Sequence, residues 1–283
     1  MSGPPDFSSQ HYWETRFERE TSFEWLARSD VILPVVLETV KEVVKARTST
    51  RQGGVTERDG SHLRLLHFGC GSSSLGSDIQ SYLDGSSSGG PTDASSSEAA
   101  DNNINVDAII SLPGIEVIDA DYVPPTLLSE ASRTVPLIQL DVLDPSSMAS
   151  SSPVDGWNVL IDKSTADAIS CGPNITDPAS GASSSPLDVM LDNLAKATRR
   201  GGRWVSISYS ATRYNSLGRP LPTATDQPEG VSEALAAPAW KLVSRTPLGA
   251  TAIPEGRLIA DGKGWRRVYE PETPIWLYIL ERI

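Results

Sequence analysis

A glycine-rich turn is the first feature of this sequence whose residue types indicate chemistry. The run GCGSSSL begins at Gly69, directly after the apolar segment LRLLHF, and a predicted helix follows it. Glycines at such a turn let a ligand approach the backbone closely, and the helix N-terminus offers unpaired N–H groups. Ser74 stands at the third glycine of the dinucleotide fingerprint GxGxxG, so that fingerprint is incomplete. The turn therefore indicates a small-molecule site but does not identify the ligand.

Acidic residues follow three further predicted strands. Asp119 lies in GIEVIDADY, where a carboxylate would accept hydrogen bonds from both hydroxyls of a ribose. Asp141 precedes Val142, a pair suited to an adenine amino group and its ring face, and Asp162 precedes Lys163. The carboxyl ends of parallel strands meet at one edge of a sheet, where open α/β folds bind ligands. Together with the glycine turn, these motifs favour a nucleoside site over unrelated surface acids.

The elements that must position these motifs alternate between β-rich and helical segments from Leu63 onward. This alternation is typical of parallel βαβ units with helices on both faces, and it predicts an α/β fold. The predicted strands are 63–68, 115–119, 135–140, 157–161, 203–209, 240–245 and 275–280. The predicted helices are 30–46, 75–83, 123–132 and 187–199, the last ending at Gly201 and Gly202.

Three segments rich in Ser, Gly, Pro and Asp interrupt this pattern, at 85–103, 145–153 and 172–186. We expect disordered loops there, because lengthening a loop costs stability only slowly. The sequence predicts a disordered N-terminus over 1–10 and a single domain over 11–283, with 85–103 and 172–186 as low-complexity insertions.

Composition excludes several classes of partner. The 283 residues include 36 Asp and Glu against 24 Lys and Arg, a formal net charge of -12 that repels nucleic acid and anionic lipid. A basic protein or a neutral small molecule fits better. Cys70 and Cys171 lack the spacing of a zinc site, so no metal is predicted. No apolar run approaches the roughly 20 residues of a membrane span, and MSGPPDFSSQ lacks a signal-peptide pattern, so a reducing compartment, cytoplasmic or nuclear, is expected.

Four segments resemble class I S-adenosylmethionine-dependent methyltransferases, and the resemblance covers the chain from Tyr12 to its terminus. The segments are YWETRF, FEW, LHFGCGSSSL and VLIDKSTADAI. They are similar to the methyltransferase-like family that includes the lysine methyltransferases of translation elongation factor 1-alpha, whose patterns are approximately YWxxRY, FEW, GCGNS and DKGTLDA. The chain departs from these patterns at Phe17, Ser72, Ser164 and Ala166. The resemblance implies a seven-stranded Rossmann-like sheet and S-adenosylmethionine as cofactor.

The same resemblance assigns cofactor contacts to individual residues. Trp13, Phe17 and Trp25 would close over the cofactor, the glycine turn would lie under its methionine moiety, and Lys163 would lie at its edge. The full predicted set is Trp13, Phe17, Trp25, Gly69, Gly71, Asp119, Ala120, Asp141, Val142 and Lys163. Without the resemblance, the aromatic residues would form an ordinary amphipathic helix face. Arg16 would pair with the methionine carboxylate or form a salt bridge with Glu14 or Glu20.

Asp162 is the predicted catalytic residue. An amine acceptor must lose its proton before methyl transfer, and a carboxylate at the end of the fourth strand could orient or deprotonate it. Two alternatives stay open for this side chain: it caps the helix that begins near Ser164, or it pairs with Lys163. Asp167 is a weaker candidate for the same task.

Three hypotheses for the activity follow. The first acceptor is a lysine of a basic protein such as elongation factor 1-alpha, which suits the negative charge. The second is a small molecule methylated at a thiol, hydroxyl or amine, because fold does not fix substrate. The third hypothesis is a pseudoenzyme that binds the cofactor without turnover.

Overall fold

The computed structural model describes residues 5–20, 23–51, 62–87, 114–124, 133–176, 181–218, 238–248, 257–260, 265–268 and 274–283. The helices are α1 (Gln10–Phe17), α2 (Ser29–Arg51), α3 (Leu75–Ser87), α4 (Pro145–Ser151), α5 (Thr165–Ile169) and α6 (Pro186–Ala197), with a 3₁₀ turn at Asn215–Gly218. The strands are β1 (Leu63–Phe68), β2 (Ile115–Asp121), β3 (Leu137–Gln139), β4 (Trp157–Lys163), β5 (Ile175–Thr176), β6 (Ser183–Ser184), β7 (Thr198–Ser208), β8 (Trp240–Leu248), β9 (Arg257–Ala260), β10 (Trp265–Val268) and β11 (Ile275–Arg282).

Seven of these strands form one sheet in the order β3-β2-β1-β4-β7-β11-β8. β11 pairs antiparallel with both β7 and β8, whereas β1, β2, β3, β4 and β7 are parallel to one another. Numbered along the chain within this sheet, the order is 3-2-1-4-5-7-6. The predicted α/β fold, a seven-stranded Rossmann-like sheet of the class I methyltransferase type, is confirmed.

Helices cover both faces of the sheet. On one face, α2 and α3 bury Val36, Val40 and Ile79 in a core with apolar residues of β1 and β4. On the other face, α4 and α6 bury Met148 and Met190 among them in a second core. All seven residues of β4 are buried, as expected for a central strand covered on both sides. This arrangement holds the carboxyl ends of β1, β2, β3 and β4 at one edge.

Two predicted segments have a different type of secondary structure in the structure, at 145–153 and after Ala197. Residues 145–153 were predicted to be a loop, but Pro145–Ser151 is helical. The Asp144 carboxylate accepts the backbone N–H groups of Ser146 and Ser147, and proline occupies the first turn, where its missing N–H is not needed. The last predicted helix ends earlier than expected, at Ala197, because Thr198 already begins β7 and the strand runs through Gly201 and Gly202.

The other predicted insertions are partly described. Gly85 to Ser87 complete α3, and 88–103 lie outside the described residues. Within 172–186, β5 and β6 pair as an antiparallel ladder, so this segment is not a featureless loop. The helix predicted over 123–132 lies outside the described residues except for Val123 and Pro124, which are not helical. Among the helices that are described, none is long and apolar enough to cross a membrane.

Candidate active site

A cavity of about 520 Å³ opens at the carboxyl edge of the sheet. Eight of the ten predicted cofactor residues line it: Trp13, Phe17, Trp25, Gly69, Gly71, Asp141, Val142 and Lys163. Asp119, Ala120 and the predicted catalytic residue Asp162 are not among its lining residues. The structure therefore brings together the turn, the aromatic residues and the ends of β3 and β4. At the end of β2, Asp121 lines the cavity and the predicted Asp119 does not.

The glycine turn between β1 and α3 requires its glycines. Gly69 has a φ of 60° and Gly71 a φ of 50°, both in the left-handed region that L side chains rarely adopt. A Cβ added at Gly69 would overlap the side chain of Thr165, the first residue of α5. The turn is thus packed tightly against the start of α5 beside the cavity.

Asp121, rather than Asp119, presents its carboxylate to the cavity at the end of β2. Its Oδ2 accepts the backbone N–H of Gly71 at 2.9 Å, and its Oδ1 accepts that of Val123 at 3.0 Å. Burial raises the pKa of Asp121, and these two hydrogen bonds oppose the rise. Each oxygen retains a further lone pair, so the carboxylate can still accept two hydroxyl donors.

The assignments of Asp119 and Ala120 are corrected by their contacts. The Asp119 side chain is completely buried, where it pairs with His67 Nδ1 at 2.8 Å and contacts the Arg133 guanidinium. Ala120 is buried in the core of the sheet, and its carbonyl accepts the N–H of Cys70 at 3.0 Å. Both residues support the glycine turn instead of lining the cavity.

Asp141 and Val142 form the wall of the cavity after β3. Asp141 Oδ1 accepts the N–H of Leu143 at 2.8 Å, and the backbone N–H of Asp141 donates to the Ser147 hydroxyl oxygen at 3.1 Å. Asp141 Oδ2 accepts no hydrogen bond from the residues that the structure describes. An acceptor atom beside apolar Val142 therefore remains available to a donor in the cavity.

Lys163 ends β4 and is tied to the N-terminal segment. Its Nζ contacts the Glu24 carboxylate and lies 3.4 Å from the carbonyl of Ala27. Burial lowers the pKa of Lys163 to about 7, whereas the adjacent carboxylate favours the charged ammonium. Glu24 also accepts the N–H of Ser74 at 2.8 Å and the hydroxyl of Ser73 at 3.0 Å. A single carboxylate therefore joins β4, the glycine turn and the N-terminal segment.

An aromatic cluster covers the cavity on the side of α1. The ring centroids of Trp13 and Phe17 are 5.7 Å apart, and those of Trp13 and Trp25 are 5.8 Å apart. Phe7 joins the cluster 6.1 Å from Trp13, whose indole N–H donates to the Phe7 carbonyl at 2.8 Å. The prediction of a disordered N-terminus over 1–10 is therefore wrong for Phe7, which lines the cavity.

Arg16 forms the predicted salt bridge with Glu20. Its Nε pairs with Glu20 at 2.6 Å, and its guanidinium stacks 4.6 Å from the Trp25 ring centroid. Glu20 in turn accepts the hydroxyl of Ser72 at 2.7 Å. Arg16 does not line the cavity, so it fastens α1 to the glycine turn instead of facing a ligand.

Asp162 is a helix cap in the structure. Its side chain is completely buried; Oδ1 accepts the indole N–H of Trp204 at 2.8 Å, and Oδ2 accepts the N–H of Ala166 in the first turn of α5 at 3.2 Å. The capping alternative is the one observed, and the predicted catalytic role lacks access to the cavity. Burial raises the pKa of Asp162 to about 6.

Asp167 does line the cavity, but its carboxylate is fully engaged. Oδ1 accepts the Ser208 hydroxyl and pairs with Arg213, each at 2.5 Å. Oδ2 accepts the N–H of Tyr209 at 3.0 Å and the hydroxyl of Ser164 at 3.2 Å. A carboxylate held by an arginine and three further donors is a scaffold for this wall, not a free base.

Sequence reasoning overlooked several residues of the site. Glu24 lies inside the quoted motif FEW and Asp121 inside GIEVIDADY, so both had a local signal. Arg133 and the cavity residues Gly172 to Ile175 had none, because only the fold brings them to this edge. Within the described part of the chain, no group of three or more His, Cys, Asp or Glu could hold a metal ion.

The chain is similar to a curated methyltransferase. The chain is 27% identical over 226 residues to the methyltransferase srdJ of Neurospora crassa, an alignment that covers 77% of this chain and 72% of that protein. No family model matches the chain. Together with the strand order, this similarity confirms the predicted enzyme class, a methyltransferase.

Two solved structures are similar over most of the chain at low identity. An S-adenosylmethionine-dependent methyltransferase from Anabaena variabilis is 14% identical, with coverage of 100% of this chain and 96% of that one and a TM-score of 0.46. The N-methyltransferase NodS from Bradyrhizobium japonicum, solved with S-adenosyl-L-homocysteine, is 11% identical, with coverage of 95% and 98% and a TM-score of 0.40.

Proposed function

We propose that this chain is an S-adenosylmethionine-dependent methyltransferase that binds its cofactor in the cavity at the carboxyl edge of the sheet. One observation carries the proposal. The turn at Gly69 to Gly71, the carboxylates of Asp121 and Asp141 and the end of β4 at Lys163 meet around a single cavity. These four features lie at the carboxyl ends of β1, β2, β3 and β4, and each has the chemistry that one part of a nucleoside cofactor requires.

The residues present fit that cofactor. Asp121 keeps acceptor capacity for two ribose hydroxyls after accepting the N–H groups of Gly71 and Val123. The Oδ2 of Asp141, which accepts no hydrogen bond from the described residues, suits the adenine amino group, and apolar Val142 and Leu143 line the cavity beside it for the ring. The aromatic faces of Trp13 and Trp25 attract a sulfonium as they attract other cations.

The chain contributes positioning and desolvation to the reaction. When bound, S-adenosylmethionine supplies a methyl group on a positively charged sulfur, which an acceptor attacks in line. The aromatic cluster of Phe7, Trp13, Phe17 and Trp25 lines the cavity and would desolvate the part of the cofactor that it contacts. Lys163 and Asp167 are both held by partners, so the walls keep a fixed shape around the acceptor.

For the acceptor, we propose a lysine side chain of a basic protein such as translation elongation factor 1-alpha. The net charge of -12 supports this choice, because a negative surface attracts basic proteins and speeds their encounter. The segments YWETRF, FEW and VLIDKSTADAI support it through their resemblance to the lysine methyltransferases of that factor.

A small-molecule acceptor is the second candidate, and the cavity wall favours it. The N-terminal segment meets the loop before β5: a Cβ added at Gly172 would lie 3.1 Å from the Cβ of Ser8. The cavity between them is lined largely by apolar and aromatic side chains, as small-molecule sites are. An acceptor enclosed there would be small and mostly apolar.

Calorimetric titration with S-adenosylhomocysteine tests cofactor binding. We expect the wild-type protein to bind it and Asp121→Asn to bind it about 10 to 100 times more weakly, because a hydrogen bond to a charged group contributes about 1.5–3 kcal/mol. Asp155→Asn is the matched control, since Asp155 is exposed and does not line the cavity. Absence of binding to the wild-type protein would overturn the proposed function.

Radiolabelled S-adenosylmethionine and a cell lysate distinguish the acceptors. Label in the protein fraction, with an initial rate that falls as salt shortens the Debye length to about 10 Å at 0.1 M and below, supports the lysine of a basic protein. Label only in low-molecular-weight products supports the small-molecule candidate. Cofactor binding with no label in either fraction identifies a pseudoenzyme.

A further inference from the structure

The buried cation Arg133 lies outside every sequence motif and contacts the glycine turn. Its Nη2 donates to the carbonyl of Gly71 at 3.0 Å, and its Nη1 lies 3.7 Å from the Sγ of Cys70. Only 8% of the Arg133 side chain is exposed. Arginine is rarely so buried unless its charge is paired, and Asp119 provides the paired carboxylate.

Gly71 is held from both sides of its backbone. Its carbonyl accepts Arg133, and its own N–H donates to Asp121 Oδ2 at 2.9 Å. Because the left-handed conformation of Gly71 fixes the direction of both groups, a shift of the carbonyl also moves the N–H. The orientation of the Asp121 carboxylate therefore depends on the contact between Arg133 and Gly71.

The far side of the guanidinium is equally constrained. Asp119 accepts His67 Nδ1 at 2.8 Å, and the side chains of both residues are completely buried. A Cβ added at Gly76 in α3 would overlap the Asp119 carboxylate, so the helix packs directly against it. Asp119 is therefore held between His67 and α3, and it pairs with Arg133 beside the turn.

We propose that Arg133 is a positioning residue for the ribose-binding carboxylate, acting through Gly71 on Asp121. The inference rests on the proposed function, since it assumes that Asp121 accepts the ribose hydroxyls. Hydrogen bonds run from His67 through Asp119 and Arg133 to the turn. Among the described residues that line the cavity, Gly71 is the one that accepts a hydrogen bond from Arg133, and Arg133 itself is not a lining residue, so its effect on the cofactor is indirect.

The test compares Arg133→Gln and Arg133→Lys by calorimetry with S-adenosylhomocysteine and with its 2′-deoxy analogue. Lysine keeps a cation beside Asp119, so this variant is the one expected to fold as the wild type does. It has a single nitrogen in place of the guanidinium fork, so it lacks the second nitrogen that donates to Gly71. We expect both variants to bind S-adenosylhomocysteine about 10 times more weakly. The loss should shrink to about threefold or less with the deoxy analogue, because the ribose contact is then already weakened.

Arg64→Gln is the matched control, because Arg64 lies on β1 and pairs with Glu116 of β2 at the exposed end of the same two strands. It should bind both ligands as the wild type does. If the wild type binds S-adenosylhomocysteine and folded Arg133→Lys binds it equally well, the positioning role is wrong and the proposed function stands. An equal loss for both ligands would also contradict it, since Arg133 would then act on the turn in general. Failure of the wild type to bind would instead contradict the proposed function.

Discussion

Lys163 at the end of β4 contacts the carboxylate of Glu24, which lies 139 residues earlier in the chain. Only 3% of the Lys163 side chain and 21% of the Glu24 side chain are exposed. Because Glu24 also accepts the N–H of Ser74, the segment that carries Trp25 is joined to the sheet and to the glycine turn at once. This ion pair therefore fixes the aromatic cluster over the cavity.

Removal of that carboxylate should destabilise the protein. We expect Glu24→Gln to lower the free energy of unfolding by about 2–4 kcal/mol, because a buried ammonium is left without its counter-charge. The double variant Glu24→Gln/Lys163→Met should recover part of this loss, since it removes the orphaned charge as well. Urea unfolding measures both.

The matched control for this pair is Glu38→Gln. Glu38 pairs with Lys41 at 3.3 Å on the surface of α2, where 65% of its side chain is exposed. An exposed pair of this kind contributes at most about 1 kcal/mol. Equal effects of Glu24→Gln and Glu38→Gln would show that the contact with Lys163 is not a stabilising link.

A second prediction concerns Gly69 in the glycine turn. Gly69→Ala should lower the free energy of unfolding by about 2–5 kcal/mol, because it combines the left-handed backbone cost with overlap on Thr165. Gly181→Ala is the control: Gly181 has a φ of 70° but no atom within 4 Å of its added Cβ. It should cost only the backbone part, about 1–2 kcal/mol. Thermal unfolding compares them, and equal melting temperatures would contradict the overlap.

A third prediction uses the pH dependence of stability. The pKa of Asp162 is about 6 in the folded protein, above its ordinary value of 3.8, because the carboxyl is buried. The folded state therefore binds this proton more tightly than the unfolded state, so stability from Asp162 is greatest below pH 4 and is lost as the pH rises to about 6.

Asp162→Asn cannot titrate and so isolates this contribution. The free energy of unfolding of the wild type, minus that of the variant, should fall by about 3 kcal/mol between pH 4 and pH 7, since one pKa unit corresponds to about 1.36 kcal/mol. Urea unfolding at a series of pH values measures the difference. Exposed Asp155→Asn serves as the control. A difference for Asp162→Asn that stays constant over this range would show that burial does not shift the pKa.

The fourth prediction addresses the serine-rich segment after α3. Deletion of 88–103, with a short Gly/Ser linker, should leave the melting temperature within about 2 °C of the wild type, because this segment contains almost no core-forming residues. Deletion of 85–103 should cost more, since Gly85 to Ser87 complete α3. A large drop for the shorter deletion would mean that the segment packs against the domain.

Most of the fold could be predicted because its signals are local. The alternation of apolar strands with helical segments is visible along the chain, and so is the glycine turn between β1 and α3. The secondary-structure predictions were wrong where the composition of a segment is typical of a different element. Pro145–Ser151 looks like a serine-rich loop, yet the Asp144 cap makes a helix of it, and Gly201 looks like a helix stop, yet β7 runs through it.

The candidate site divides in the same way. The aromatic residues of the N-terminal segment, the glycine turn, Asp141 and Lys163 could be named from motifs alone. The buried role of Asp162 could not be predicted from motifs, because Trp204, which donates to its carboxylate, lies 42 residues later in the chain. The strand β7 that carries Trp204 lies beside β4 only in the folded sheet.

The choice between Asp119 and Asp121 shows most clearly what tertiary structure decided. The sequence by itself determined that an acid stands at the end of β2, but side chains two residues apart lie on the same face of a strand, so periodicity cannot separate them. The β1–β2 register sets Asp119 opposite His67, and the fold brings Arg133 to its other side. The Asp119 carboxylate therefore pairs with these two buried residues and does not line the cavity. Asp121 lies two residues further along β2, at the carboxyl end of the strand, where it lines the cavity.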